Sequence, residues 1–66
     1  MKKNYSYYTE NPIIKEELRR YLKENNINPY ISECFDGWDF QIEMSEEEAE
    51  KATWFLESII DMTEGF

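Results

Sequence analysis

The clearest pattern in the chain is a strict alternation of apolar and polar residues over positions 38–44. The apolar members of this run are Trp38, Phe40, Ile42 and Met44. Strict alternation of this kind predicts a strand with one buried face. The dipeptide Asp36-Gly37 directly precedes the run and favours a two-residue hairpin turn. A second strand is therefore expected just before the turn, paired with the first.

The register of this hairpin has two solutions. A two-residue turn places Phe35 opposite Trp38 on the apolar face, but it places Glu33 on the same face. A charged side chain is unfavourable there because burial removes its hydration. A bulge or a wider turn would resolve the conflict by turning Cys34 and Tyr30 inward instead. The sequence pattern leaves both registers open.

Residues 11–26 carry the signals of a first helix. Asn11 is a good N-cap, and Pro12 suits the first helical position. The helix is expected to end at about Asn25 or Asn26, because asparagine tolerates the left-handed conformation found at helix ends. Apolar residues recur at helical spacing, so this helix should pack on one side. The apolar stripe consists of Ile14, Leu18, Tyr21 and Leu22.

A second helix is predicted from Ser45 to about Met62, with Gly65 beyond its end. Ser45 and Glu48 match a capping box, in which each side chain bonds the backbone N–H of the other residue. On a helical wheel about half of the circumference is apolar, and that half is expected to pack on the sheet. It contains Ala49, Ala52, Phe55, Leu56, Ile59, Ile60 and Met62.

Residues 1–9 are rich in tyrosine and have two interpretations. They form either an edge strand or a frayed terminus. In a strand, Tyr5 and Tyr7 share one face and Tyr8 lies on the other. The element order is then β-α-β-β-α, whereas without this strand it is α-β-β-α.

These elements predict a single small α+β domain over residues 1–66. It has two layers, an antiparallel hairpin sheet of two or three strands and two helices on one face of it. The other sheet face is then either polar enough to meet water or covered by a second copy of the chain. Because small domains with thin cores often gain stability by association, a homodimer is expected.

The amino-acid composition excludes most kinds of catalytic site. The 66 residues include no histidine and one cysteine, Cys34. Histidine-dependent triads, imidazole metal ligands and an intramolecular disulfide are therefore excluded. We expect no enzymatic activity, no cofactor and no metal site. The lone thiol fits a reducing compartment, and no apolar run approaches the ~20 residues of a membrane span, so a cytoplasmic location is expected.

Charge is concentrated in the second half of the chain. The net charge is −8, from 15 acidic and 7 basic residues. Residues 31–66 contain eleven acids and a single base, Lys51. This excess argues against direct binding of nucleic acid, which relies on a positive surface. It favours a partner protein with a basic surface.

The polar half of the second helix carries an anomaly, because Trp54 lies in the middle of it. The acidic residues on that half are Glu46, Glu47, Glu50, Glu57 and Asp61. Trp54 is either covered by the chain itself or by a second protomer, or it is an exposed anchor inside a negative ring. In the second case tryptophan would act as an interface hot spot and the carboxylates would steer a basic partner. The predicted partner-binding residues are Trp54, Glu47, Glu50, Glu57, Asp61 and Glu43.

The leading functional hypothesis is a non-catalytic interaction module that binds a basic surface of a host protein. Size and acidity are those of a phage or mobile-element inhibitor of the anti-defence type, and the carboxylates on the helix could imitate the charges of nucleic acid. One alternative is a homo-oligomeric assembly protein whose acidic surface only confers solubility. A second alternative is a regulator that depends on a divalent cation bound by the acidic residues.

Overall fold

The computed structural model describes residues 1–64 and confirms the order β-α-β-β-α. Gly65, expected beyond the last helix, lies outside the described residues. The elements are β1 (Lys2–Thr9), α1 (Pro12–Glu24), β2 (Tyr30–Glu33), β3 (Trp38–Ser45) and α2 (Glu46–Glu64). The chain is an α+β domain with both helices against one face of an antiparallel sheet.

Strand β3 is the centre of a three-stranded sheet with the order β1-β3-β2. The tyrosine-rich N-terminus is therefore an edge strand, as the first interpretation required. Tyr5 pairs with Ile42 and Tyr7 with Phe40, so the two tyrosines join the buried face of β3. Tyr8 points to the opposite face and is exposed, as alternation predicts.

The hairpin register differs by two residues from that of a turn at Asp36-Gly37. Ile31 lies opposite Phe40, and Glu33 lies opposite Trp38. The N–H of Cys34 donates to the Gly37 carbonyl at 2.8 Å, so residues 35 and 36 form the tip. A shift of two keeps every side chain on its face, because side chains alternate with a period of two. It moves Glu33 to the end of β2, where the side chain is exposed.

Both registers expected for the hairpin are consequently wrong. Phe35 is fully exposed at the tip instead of facing Trp38. Cys34 and Tyr30 are also exposed, so the alternative that turned them inward fails too. The conflict at Glu33 was resolved by its position at the strand end and not by a change of face.

Gly37 is required for a reason other than a left-handed backbone. No glycine among the described residues has a positive φ, so the turn is not of the primed type expected for Asp-Gly. A Cβ at position 37 would lie 2.5 Å from the carbonyl oxygen of Thr9 and 2.8 Å from the hydroxyl of Tyr8. Only glycine leaves room for strand β1 at this point.

Helix α1 begins and ends where local signals predicted, and α2 begins after its predicted cap but runs to Glu64, two residues beyond the expected end at about Met62. Asn11 Oδ1 accepts the N–H of Ile13 at 2.9 Å, and Asn26 adopts a φ of 60° after α1. At the start of α2, the N–H of Ser45 donates to Glu48 Oε1 at 2.8 Å, and the N–H of Glu48 donates to Ser45 Oγ at 3.2 Å. The predicted capping box is thus confirmed.

The core lies between the helices and the inner sheet face. Helix α1 supplies Ile14, Leu18 and Leu22, all with 2% exposure or less. β3 supplies three buried residues and α2 supplies Ala52 and Ile59. Met62, predicted for the apolar half of α2, is 67% exposed. It lies near the C-terminal end of α2.

The outer sheet face is polar and internally hydrogen-bonded. Ser6 Oγ donates to Gln41 Oε1 at 3.2 Å, and Gln41 Nε2 donates to Asp39 Oδ2 at 3.0 Å. At its end, the Tyr8 hydroxyl donates to Asp36 Oδ1 at 2.6 Å. These contacts suit a face that meets water, which was one of the two alternatives for it.

Candidate functional site

Helix α2 presents a large aromatic side chain on its outward surface. Trp54 is 64% exposed, while Ala52 and Ile59 on the opposite side of the helix are 3% and 4% exposed. The neighbouring aromatic residue Phe55 is covered by α1, because it stacks on Tyr21 with ring centroids 4.3 Å apart. The chain therefore covers Phe55 in part and leaves Trp54 exposed, which excludes cover of Trp54 by the N-terminal strand or by α1.

Four exposed carboxylates lie on the same side of α2 as Trp54, within two helical turns of it. They belong to Glu47, Glu50, Glu57 and Asp61. Residues three and four apart in a helix are surface neighbours, which places Glu50 and Glu57 directly beside the indole. We call the set of Trp54 and these four acids the Trp54 surface.

The Trp54 surface carries little compensating charge. Lys51 is the single base within α2 and lies 3.8 Å from Glu47, Nζ to Oε1. Both side chains are more than 60% exposed, and such pairs contribute little because water and salt screen them. The negative electrostatic field of these carboxylates is therefore largely uncompensated on the side of α2 that faces solvent.

Glu43 lies apart from the Trp54 surface. It is opposite Asn4 in the β1–β3 ladder and is exposed between the buried Ile42 and Met44. Its side chain consequently points to the outer sheet face, away from the helices. The structure brings five of the six predicted partner-binding residues together on α2 and places the sixth on the other side of the sheet.

Two further acids at the start of α2 have different surroundings. Glu48 belongs to the capping box, and the hydrogen bond from the Ser45 backbone N–H lowers the pKa of its carboxyl. Glu46 is exposed and faces a groove between α2 and β1. Glu48 therefore stabilises the helix start, whereas Glu46 is available to solvent.

Sequence reasoning missed this groove. Its wall on α2 is formed partly by Ala49 and Ala52, whose small side chains lie across from Tyr5 and Tyr7 of β1. Two alanines on the apolar half of a helix are a signal of low side-chain volume. They indicate a gap only once the facing strand is known.

Two kinds of feature were not found in the part of the chain that the structure describes, a converging group of metal-ligating side chains and a helix able to cross a membrane. Among the side chains that the structure describes, those of residues 1–62, no three acidic or cysteine groups converge in the way that a metal ion requires. Neither described helix has both the length and the apolar character needed to cross a membrane. Cys34 has a free thiol at the exposed hairpin.

Comparisons with protein-family models, with curated proteins and with solved structures gave no match to this chain.

Proposed function

We propose that this protein is a non-catalytic interaction module that binds a basic surface of another protein through the Trp54 surface. The observation that carries the proposal is the 64% exposure of Trp54 among four exposed carboxylates. Helix α1 covers one aromatic ring of α2 in part, that of Phe55 through its stacking on Tyr21, and it does not cover Trp54.

The indole and the carboxylates would have separate roles in binding. A tryptophan that becomes desolvated in an interface can contribute ~2 kcal/mol or more to affinity. The carboxylates would mainly attract and orient a basic partner and so raise the association rate. Exposed charges are screened over about 10 Å at 0.1 M salt, so binding should weaken as salt rises.

We further propose that the partner is a nucleic-acid-binding protein. The protein described here would inhibit that partner, as inhibitors of the phage or mobile-element type do. Residues 47 to 61 span about 21 Å of helix, given a rise of 1.5 Å per residue. Four carboxylates over that length form an array sparser than the one charge per ~1.7 Å of duplex DNA. The array would therefore imitate part of a phosphate backbone, with Trp54 adding the affinity that charge alone lacks.

A tagged pull-down from a bacterial lysate tests the proposal. The variant to compare with the wild type carries Glu47→Gln, Glu50→Gln, Glu57→Gln and Asp61→Asn. The matched control carries Glu10→Gln, Glu24→Gln, Glu33→Gln and Asp39→Asn, which makes the same change in net charge away from α2. Retained proteins are identified by mass spectrometry at low and moderate salt.

We expect the wild type and the control to retain the same basic protein, and the α2 variant to lose it. The retained protein should be released as salt rises. Equal losses in both variants would mean that only bulk charge matters and would overturn the proposal, as would the absence of any retained protein. Glu43→Gln alone should leave retention unchanged, because Glu43 lies on the outer sheet face.

Competition distinguishes nucleic-acid imitation from ordinary charge complementarity. Duplex DNA added to the retained complex should displace the partner if both occupy the same basic surface. Continued retention at saturating DNA would limit the proposal to binding of a basic protein.

The homodimer stays a prediction of the sequence. The polar outer sheet face does not require a second copy, and sedimentation of the isolated chain would measure its mass directly.

A further inference from the structure

A groove of about 470 Å³ lies between strand β1 and helix α2. Its floor is apolar and is made by Leu18, Ile42 and Met44, which are themselves 4% exposed or less. Tyr5 and Tyr7 of β1 form one wall. The volume falls within the range of about 300–1,000 Å³ that is typical of ligand pockets.

The groove exists because α2 has small side chains where it faces β1. Ala49 and Ala52 line the second wall, with Leu56 farther along the helix. Large apolar residues at these two positions would have closed the core. The chain instead leaves the groove walls partly uncovered, since Tyr5, Tyr7, Ala49 and Leu56 are only half-buried, in a domain whose core is already thin.

Acidic side chains flank the mouth of this groove. Glu46 and Glu50 line it, and both are exposed. Glu50 also belongs to the Trp54 surface, so the groove and that surface adjoin each other along α2. Lys3 lies on the same sheet face at the N-terminal end of β1, but it does not line the groove.

Charge decides which occupant suits the groove. A second copy of this chain would bring another net charge of −8 to an acidic mouth, and an anionic membrane surface would be repelled likewise. A basic segment of a partner protein would be attracted by Glu46 and Glu50. Its apolar side chain would lie against Tyr5, Tyr7 and Leu56, the half-buried apolar residues of the groove walls.

We infer that the groove receives a bulky apolar side chain, aromatic or long aliphatic, from a lysine- or arginine-rich segment of the partner that also contacts the Trp54 surface. This inference builds on the proposed function and specifies its partner. The Trp54 surface supplies attraction and one anchor, whereas the groove selects for an apolar residue within the basic segment.

Two short lysine-rich peptides that differ only in a central tryptophan or serine provide the probe. Their affinities for the whole protein are measured by titration, and backbone amide NMR signals locate the bound peptide. We expect the tryptophan peptide to bind about tenfold more tightly, equivalent to 1.4 kcal/mol. The amide signals of Ala49, Thr53 and Tyr5 should shift with this peptide and not with the other.

Filling the groove without changing charge should abolish the preference. In Ala49→Phe the added ring would occupy the space, and the two peptides should then bind equally. Thr53→Phe, at an exposed position that lines the same groove, serves if the first variant does not fold. Asn28→Phe, on an exposed loop outside the groove, is the matched control and should keep the tenfold preference.

The inference is wrong if both peptides bind the wild type equally, if neither binds, or if the groove-filled variants keep the preference. Its failure is distinguishable from failure of the proposed function. Retention of a lysate protein that depends on Trp54 and its carboxylates, together with no preference between the peptides, would leave the proposed function standing and remove the groove from it.

Discussion

The two helices lie against the same sheet face, but they use their surfaces in different ways. Helix α1 buries Ile14, Leu18 and Leu22 almost completely. Helix α2 is longer, yet two of its described residues, Ala52 and Ile59, are buried to the same degree. It leaves a tryptophan exposed and a groove open beside it. Fully buried side chains are thus concentrated on the α1 side, while the α2 side leaves more apolar surface exposed.

The largest effect is expected from Leu18→Ala on α1. Leu18 is fully buried, and leucine-to-alanine changes at such sites cost about 2–5 kcal/mol. In a domain of this size the thermal midpoint should fall by more than about 10 °C. Circular dichroism during heating measures it. A fall of only a few degrees would contradict tight packing on the α1 side. Leu18 also borders the groove, so such a result would indicate that the loose packing at the groove extends to α1.

Gly37→Val should produce the next largest loss, since it forces a side chain against the strand that leads into α1. A Cβ there lies 2.5 Å from the Thr9 carbonyl oxygen, which belongs to the backbone and cannot easily move. Overpacking of this kind costs about 1–3 kcal/mol. Urea unfolding measures the loss. Gly37→Ala should also destabilise, because the clash begins at Cβ; an unchanged alanine variant would contradict the close approach.

The first turn of α2 should respond to pH through Glu48. The Ser45 N–H holds the pKa of this carboxyl below its ordinary value. The folded pKa is therefore lower than the unfolded one, so the stabilisation is present above the ordinary pKa of about 4.3 and is lost as pH falls through the folded pKa. Wild type should be more stable than Glu48→Gln at pH 7. This difference should disappear at pH 2, as thermal midpoints measured at both values would show.

A matched glutamate separates the cap from general charge effects. Glu57→Gln changes the same charge on an exposed part of α2 that has no capping contact. Its stability difference from wild type at pH 7 and at pH 2 measures the effect of removing one exposed charge from α2. Equal pH dependence in the two variants would mean that the cap contributes nothing specific.

Trp54→Ala should have the smallest effect on stability and a large effect on binding. An exposed side chain away from the core usually changes the free energy of unfolding by less than about 0.5 kcal/mol. Retention of the basic partner should nevertheless fall at least about tenfold, or 1.4 kcal/mol. A stability loss above about 3 kcal/mol would indicate a buried ring and contradict the exposed Trp54 surface.

Trp38→Ala is the control for the two measurements made on Trp54→Ala, stability and partner retention. Trp38 is half-buried against the core, and Lys15 Nζ lies 5.3 Å from its ring centroid. Its removal should lower stability more than that of Trp54 and leave partner retention unchanged in the fraction that remains folded. The two tryptophans would then report separately on the core and on the proposed interface.

The sequence alone determined the features that depend on residues a few positions apart. Asn11 and the Ser45–Glu48 pair marked the starts of the helices, and alternation marked β3. Helical periodicity also placed Trp54 and its carboxylates opposite the apolar half of α2. These features could be predicted because hydrogen bonds and side-chain directions within one element follow from local geometry.

Only the tertiary structure decided what depends on distant parts of the chain. The hairpin register shifted by two because Glu33 reaches solvent at a strand end, and Gly37 is required because Thr9 of β1 lies beside it. Exposure of Trp54 depended on where β1 and α1 lie. The groove likewise arose from the placement of Ala49 across from Tyr5. Each is a property of the space between elements, which no pattern within one element contains.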